Sequence, residues 1–255
     1  MPNNIVAVIQ ARTDSTRLPG KVLVNLKDKP VIEHVYNRVS ASNLIHKTFV
    51  ATTTLDSDNK LSQFCKNNNI NLFRGSADDV LDRYYQLCKS LDVEHIVRIT
   101  ADCPVIDPRV IDYVIKIHLK GDFDYTSNTL EVPYPDGQDV EVFKFSSLEK
   151  AWKESILFSE REHVTPYIKF NEGIFNIKKV FLEEDCSFYR WTLDEKEDLE
   201  LIEVFYEKLY DKNPFFGMED LILLNKENKD LLNINKMHIR EEGYKKSLKN
   251  DYNIR

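Results

Sequence analysis

Between residues 5 and 127, short runs rich in β-branched residues alternate with longer stretches that carry apolar residues at helical spacing. This alternation constrains the fold more than any other feature. The runs Ile5–Gln10, Thr48–Thr53, Leu72–Arg74, His95–Thr100 and Asp124–Ser127 read as strands, and Val31–Ser40, Asp58–Asn67, Asp78–Ser90 and Pro108–Leu119 as the helices that join them. Strands linked by crossover helices give an α/β fold, a mainly parallel central sheet flanked by helices. Ser76 and Asp78 are expected to cap the third helix, and Asp107 before Pro108 to cap the fourth. Beyond about residue 128 the alternation weakens. "DVEVFKF" (139–145) reads as a strand, "SSLEKAWKES" as a capped helix, "IFNIKKV" as a further strand, and "EKEDLELIEVFYEKLY" as an amphipathic helix whose acidic first turn suits the helix dipole. This half is mixed rather than parallel, and its Lys/Asn-rich end reads as a helix followed by a loosely packed tail.

At 255 residues with 42% hydrophobic and 30% charged residues, the chain is long enough to bury a substantial core without staples. Its formal charge of −7 argues against general nucleic-acid binding, so any phosphate site must be local. Cys65, Cys88, Cys103 and Cys186 show neither a CxxC pair nor zinc-ligand spacing and read as reduced core residues. Met1–Gln10 has no signal-peptide pattern and no run approaches the roughly 20 apolar residues of a membrane span, so a cytoplasmic protein is expected.

Against the acidic background, Arg12, Arg17 and Lys21 fall within ten residues, directly after the first strand. Open parallel sheets bind ligands at the carboxyl ends of their strands, which places this loop where an anion would sit. Ser15 and Val22 occupy positions that a P-loop requires to be Gly and Ser/Thr, and only Gly20 is present of the three glycines of a dinucleotide fingerprint. What remains is a set of backbone N–H groups, hydroxyls and charge-assisted donors suited to a polyphosphate.

The full string "QARTDSTRLPGKVL" resembles the opening of the bacterial cytidylyltransferases that activate acidic sugars, nearest to the spore coat polysaccharide branch. The resemblance continues through "FRGSADDVLDRYYQ", "VRITADCPVIDPRVID", "YTSNTLEVPYPDGQDVEVF", "SEREHVTPY", "RWTLDEKEDLE" and "EEGYKKS", in order and over nearly the whole chain. It implies a Rossmann-like nucleotide-diphospho-sugar transferase fold in one domain, with a nucleotide-binding half (1–128), a mixed acceptor-binding and dimerisation part (129–225) and a C-terminal helix and tail (226–255). It also implies a homodimer, and a reaction in which an acceptor oxygen attacks the α-phosphate of CTP and expels pyrophosphate, with Mg2+ as cofactor and a small acidic sugar-type acceptor as the other partner.

Carried over residue by residue, the resemblance assigns Ala11, Arg12, Ser15, Arg17 and Lys21 to the nucleotide, with Arg12, Lys21 and Asp102 in catalysis. Arg74, Ser76, Arg83 and Thr100 line the nucleotide side. Thr100 stands where the branch handling acidic keto-sugars has a base-reading Gln. Asp102 and Asp194 are the implied metal ligands; each also suits a plainer role, Asp102 as a turn residue and Asp194 as the cap of the following helix. Ala101 replaces the usual Gly, which is compatible with activity only if its backbone φ is not positive. Asp139 and Glu141, at alternate positions of a strand, share a face; with Glu160, Arg161, His163 and Arg190 they form the implied acceptor side. Arg98, on an interior strand, requires a partner. Tyr189 and Trp191 read as core. Two alternatives stay open: a glycosyltransferase of the same architecture, for which "DSD" (56–58) and "DFD" (122–124) have the letters of a metal motif, and a catalytically silent nucleotide-binding subunit.

Overall fold

The computed structural model describes residues 4–131, 133–240 and 242–254. In chain order its elements begin with β1 (Ile5–Gln10), a small antiparallel hairpin of β2 (Asn25–Leu26) and β3 (Lys29–Pro30), α1 (Val31–Ser40) and β4 (Lys47–Thr53). They continue with α2 (Asn59–Asn67), β5 (Leu72–Gly75), α3 (Val80–Lys89), β6 (His95–Thr100), α4 (Pro108–Lys120) and β7 (Tyr125–Ser127). Next come β8 (Glu141–Lys144), α5 (Phe145–Glu154), α6 (Phe158–His163), α7 (Pro166–Lys169) and β9 (Ile177–Lys179). The chain closes with α8 (Lys196–Phe205), which runs into a wider π-type turn over Tyr206–Tyr210, then α9 (Met218–Glu227) and α10 (Glu242–Lys249).

The seven larger strands form one sheet in the order β5-β4-β1-β6-β8-β7-β9, in which only β8 runs against its neighbours. The sheet crosses the boundary expected near residue 128: β7 lies before it, β8 and β9 after it. Successive residues of β1 feed opposite layers, as a strand period of two requires. Ile5, Ala7 and Ile9 pack with α1 and α4 through Val35, Ile111 and Ile115, whereas Val6 and Val8 pack with α3 and α5 through Leu81, Tyr84 and Leu148. Both faces are therefore covered, which is why the strand sequences read as nearly continuous apolar runs.

Several boundaries differ from the sequence reading. The third helix starts at Val80 because Asp79, not Asp78, is its cap: the Asp79 carboxylate accepts from Asp82 N at 2.8 Å while Ser76 Oγ accepts from Asp79 N. The strand expected over 139–145 is limited to Glu141–Lys144, and α5 begins at Phe145, whose N–H donates to Glu94 O. The C-terminal stretch is no loose tail. Asp251 accepts from Ser159 N and Oγ, Phe158 N donates to Tyr252 O, and Ile254 N donates to Ile156 O, so residues 251–254 are tied to the start of α6. Asp107 does cap α4, accepting from Arg109 N at 2.8 Å with Pro108 in the first turn.

Candidate active site

After β1 the chain crosses to β4 on one side, and later returns to β6 on the other. The crevice at this reversal is where open α/β sheets place ligands. The loop after β1 and the turn after β6 both face it, around a cleft of about 750 Å3. Thr13 anchors the loop: its N–H and hydroxyl donate to Asp58 Oδ1 at 2.7 and 2.8 Å, and its carbonyl accepts from Ser15 N and Gly20 N. Gly20, at φ +72°, turns the chain so that Lys21 starts a short 3₁₀ turn. Burial favours the neutral acid at Asp58, but donors from Thr53, Thr13 and Thr52 outweigh it and hold the carboxyl below its usual range. The "DSD" motif is thereby accounted for as a brace of the loop. "DFD" instead pairs with Lys144, through Asp122 and Asp124, at the start of β7.

The buried Lys21 ammonium lies between two carboxylates, 2.7 Å from Asp194 Oδ1 and 3.3 Å from Asp102 Oδ2, and donates to Leu193 O at 2.8 Å. Burial acts to lower its pKa, yet Asp102 and Asp194 raise it above the ordinary value; burial likewise acts to raise Asp102, and Lys21 brings it below. Asp194 reaches Asp102 because Leu193 N donates to Asp102 O. Glu195, not Asp194, caps α8, and Asp198 accepts from Asp194 N and Glu195 N, both at 2.9 Å. Arg17 adds contacts to Asp194 at 2.9 Å, Glu195 at 3.1 Å and Glu242 of α10 at 3.3 Å. Two cations of the loop, Lys21 and Arg17, are thus held by acids expected to carry the metal.

On the other side of the cleft, Arg98 of β6 meets its cross-strand neighbour Glu141 of β8 in a buried pair, and Glu141 also accepts from Tyr125 and Thr165 hydroxyls. Burial opposes ionisation of Glu141, but Arg98 holds its carboxyl below the usual range. Asp139 accepts from Arg240. Gly137, at φ +98°, is required here, since a Cβ would stand 2.6 Å from the Trp191 carbonyl carbon. The Glu162 carboxylate accepts from Ser247 Oγ at 2.6 Å, and His163 Nε2 lies 3.0 Å from the same hydroxyl, so α10 closes over this end.

A cytidylyltransferase family model matches residues 6–233. The chain belongs to the cytidylyltransferase family. It is similar to an uncharacterised protein of Methanocaldococcus jannaschii, 37% identical over 246 residues that cover 94% of this chain and 98% of that one. It is also similar to the spore coat polysaccharide biosynthesis protein SpsF of Bacillus subtilis, 32% identical over 88% of this chain and 95% of SpsF. Among solved structures, a cytidylyltransferase from Leptospira borgpetersenii superimposes with a TM-score of 0.85 at 33% identity, covering 90% of this chain and 97% of that one. The Rossmann-like architecture and nucleotidyltransferase class follow from this membership.

In this cytidylyltransferase Ala11, Arg12, Ser15, Arg17, Lys21, Arg83, Thr100, Asp102, Asp139, Glu141, His163, Arg190 and Asp194 line one cleft. Two of the arginines among them are turned to supporting roles. Arg83 donates to Ser76 O and Ala77 O, shaping a loop, and Arg190 donates to both oxygens of Asp198 at 2.8 Å and to Asp136 at 3.0 Å. Arg190 therefore positions the α8 cap and Asp194 rather than facing an acceptor with a free charge. Four expected site residues lie outside the cleft lining. Arg74 donates to Thr53 O, Leu55 O and Asn59, bracing the end of β4. Ser76 is spent on the α3 cap, Glu160 accepts from Ile156 N and Leu157 N at the start of α6, and the buried Arg161 is paired with Asp79 at 2.5 Å. Ala101 is absent from the positive-φ residues of the described chain, so its methyl group is compatible with the turn. Gln10, Lys169, Arg240 and Ser247 carry no role in the sequence reading; the resemblance of "EEGYKKS" is the one pointer to Ser247, and "SEREHVTPY" already contains Thr165.

Proposed function

We propose that this cytidylyltransferase transfers CMP from CTP, with Mg2+, to an oxygen of a small acidic sugar-type acceptor, supplying an activated unit for surface polysaccharide. The observation that carries the reading is the Lys21 ammonium set between Asp102 and Asp194 at the sheet's switch point. The metal fits this donor set: two carboxylates reach one cation, and Mg2+ is commonly held by one or two carboxylates together with substrate phosphates. Asp102 and Asp194 would hold it, and a bound Mg2+ would screen triphosphate charge from the incoming oxygen.

The chain's own residues supply the remaining functions. Lys21 and Arg17 exchange their carboxylate partners for phosphate oxygens, with Arg12 adding a third cation and backbone N–H groups of the loop further donors. Lys21 then stabilises the charge that builds as the acceptor oxygen bonds to the α-phosphorus and the bond to the β-phosphate breaks, releasing pyrophosphate. His163, across the cleft, is placed to orient the acceptor or take its proton. By the same resemblance the enzyme is a homodimer, which sedimentation analysis checks. Pyrophosphate release from each nucleoside triphosphate with a panel of acidic sugars and sugar phosphates tests the whole reading. Release with CTP and at least one acidic acceptor is expected, and none with any pair would refute it.

A further inference from the structure

The acceptor side contains a cation without a carboxylate partner in hydrogen-bonding or ion-pair contact among the described residues. Lys169, the last residue of α7, lines the cleft close enough to Glu141 for its charge to help keep that carboxyl ionised. Its ammonium is flanked by two aromatic rings, 5.1 Å from the centre of Tyr244 on α10 and 5.2 Å from that of Phe170. Rings at this distance restrain a lysine head without neutralising it. Three other cations on this side are engaged: Arg98 by Glu141, Arg190 by Asp198 and Asp136, Arg240 by Asp139.

The segment leading to Lys169 is fixed by a strained turn. Val164 has φ 70° and ψ −54°, with Thr165 N donating to His163 O at 2.8 Å, a γ-turn of the rare positive-φ kind. A β-branched residue in this region is a genuine outlier, and Val164 is fully buried. The turn sends His163 and Thr165 to the cleft, and Thr165 Oγ1 then donates to Glu141 at 2.6 Å. Such strain persists only where surrounding contacts over-determine it, and it concentrates at ligand-binding segments. Lys169 follows four residues after Thr165 on this braced base.

We propose that Lys169 is a specificity-determining residue that binds the anionic group of the acceptor, a carboxylate or a phosphate, opposite the triphosphate loop. This rests on the CMP-transfer reading above. Pyrophosphate release is measured with CTP and, as acceptors, 3-deoxy-manno-octulosonate, N-acetylneuraminate, their carboxamide analogues, hexose phosphates and the parent neutral hexoses. For an acceptor that turns over, Lys169→Gln should raise its KM by about tenfold or more, the loss of one charge-assisted contact. The KM for CTP should stay within about twofold by the same reasoning, and Lys169→Arg should recover most of the acceptor KM. The Gln variant should also lose the wild-type preference for anionic over neutral acceptors, an effect that a merely structural role would not produce. Turnover of sugar acids alone or hexose phosphates alone identifies which anion is bound. An unchanged acceptor KM, or an equal rise in both KM values, overturns the proposal. Turnover with neutral sugars alone overturns it while CMP transfer stands, and release with no acceptor at all overturns the CMP-transfer reading and this proposal with it.

Discussion

Replacing Lys21 with Met removes an ammonium that touches both Asp102 and Asp194 while keeping most of the side-chain volume. Two opposed effects follow. Without ligands the carboxylates lose their shared counter-ion; removing one partner of a fully buried pair costs about 3–5 kcal/mol. Asp102 and Asp194 retain 25% and 20% side-chain exposure, so water recovers part of this loss. A cost of about 2–3 kcal/mol is expected, which for a chain of this size lowers the melting temperature by roughly 5–10 °C. The two acids are then free for a divalent ion, so millimolar Mg2+ without nucleotide should raise the melting temperature of Lys21→Met more than that of the wild type. Catalysis moves the other way: loss of a donor aimed at developing charge should cut turnover by about 10²–10³-fold even at saturating Mg2+. Differential scanning fluorimetry across a Mg2+ series and a pyrophosphate-release assay measure the two limbs. Equal Mg2+ shifts in both proteins, or near-native turnover in the variant, would refute the placement of Lys21 between metal acids and phosphate.

Asp102→Asn keeps the side-chain shape but halves the charge offered to the metal, and steady-state assays should show turnover reduced by about a hundredfold or more. Asp58→Ala removes the acceptor of the Thr13 N–H and hydroxyl, so the loop loses its tether and the KM for CTP should rise by about tenfold, with a lower melting temperature. Ala101→Gly should leave kcat/KM within about twofold, because the alanine is not at positive φ and the glycine relieves nothing. His118 is buried, with His95 Nδ1 3.1 Å from its Nε2 and Thr126 Oγ1 2.9 Å from its Nδ1; burial first, then His95 and Lys144, pushes it from 6.5 down to about 3. Between those values the unfolded chain binds the extra proton, so this stabilisation is complete above about pH 6.5 and is lost as pH falls towards 3. Urea titrations from pH 7 to 4 should show a flatter acid limb for His118→Gln than for the wild type.

The strands β1 and β6 coincide with the sequence reading at both ends, since their period and β-branched content are local properties of buried parallel strands. The cap at Asp107 was legible for the same reason. Asp79 as the α3 cap was not, because Ser76, Asp78 and Asp79 all offer suitable oxygens and only the path of the chain selects among them. At the site, the cationic loop could be read from spacing, but the partners of its charges could not: Lys21 meets residues 81 and 173 positions away, and Arg17 meets one 225 positions away. Arg190 and Arg161 illustrate the limit. Their residue type and neighbourhood fit an acceptor pocket, yet Asp198 and Asp79 claim their guanidinium groups.

By itself the sequence determined a sheet with both faces covered, its first, parallel half, and a cationic loop after the first strand, because each depends on the periodicity and charge of neighbouring residues. Tertiary structure alone decided which charges remain available to a ligand. Pairing of ions depends on distances between segments remote in sequence, and a charged side chain that has met a buried opposite charge is no longer offered to the cleft.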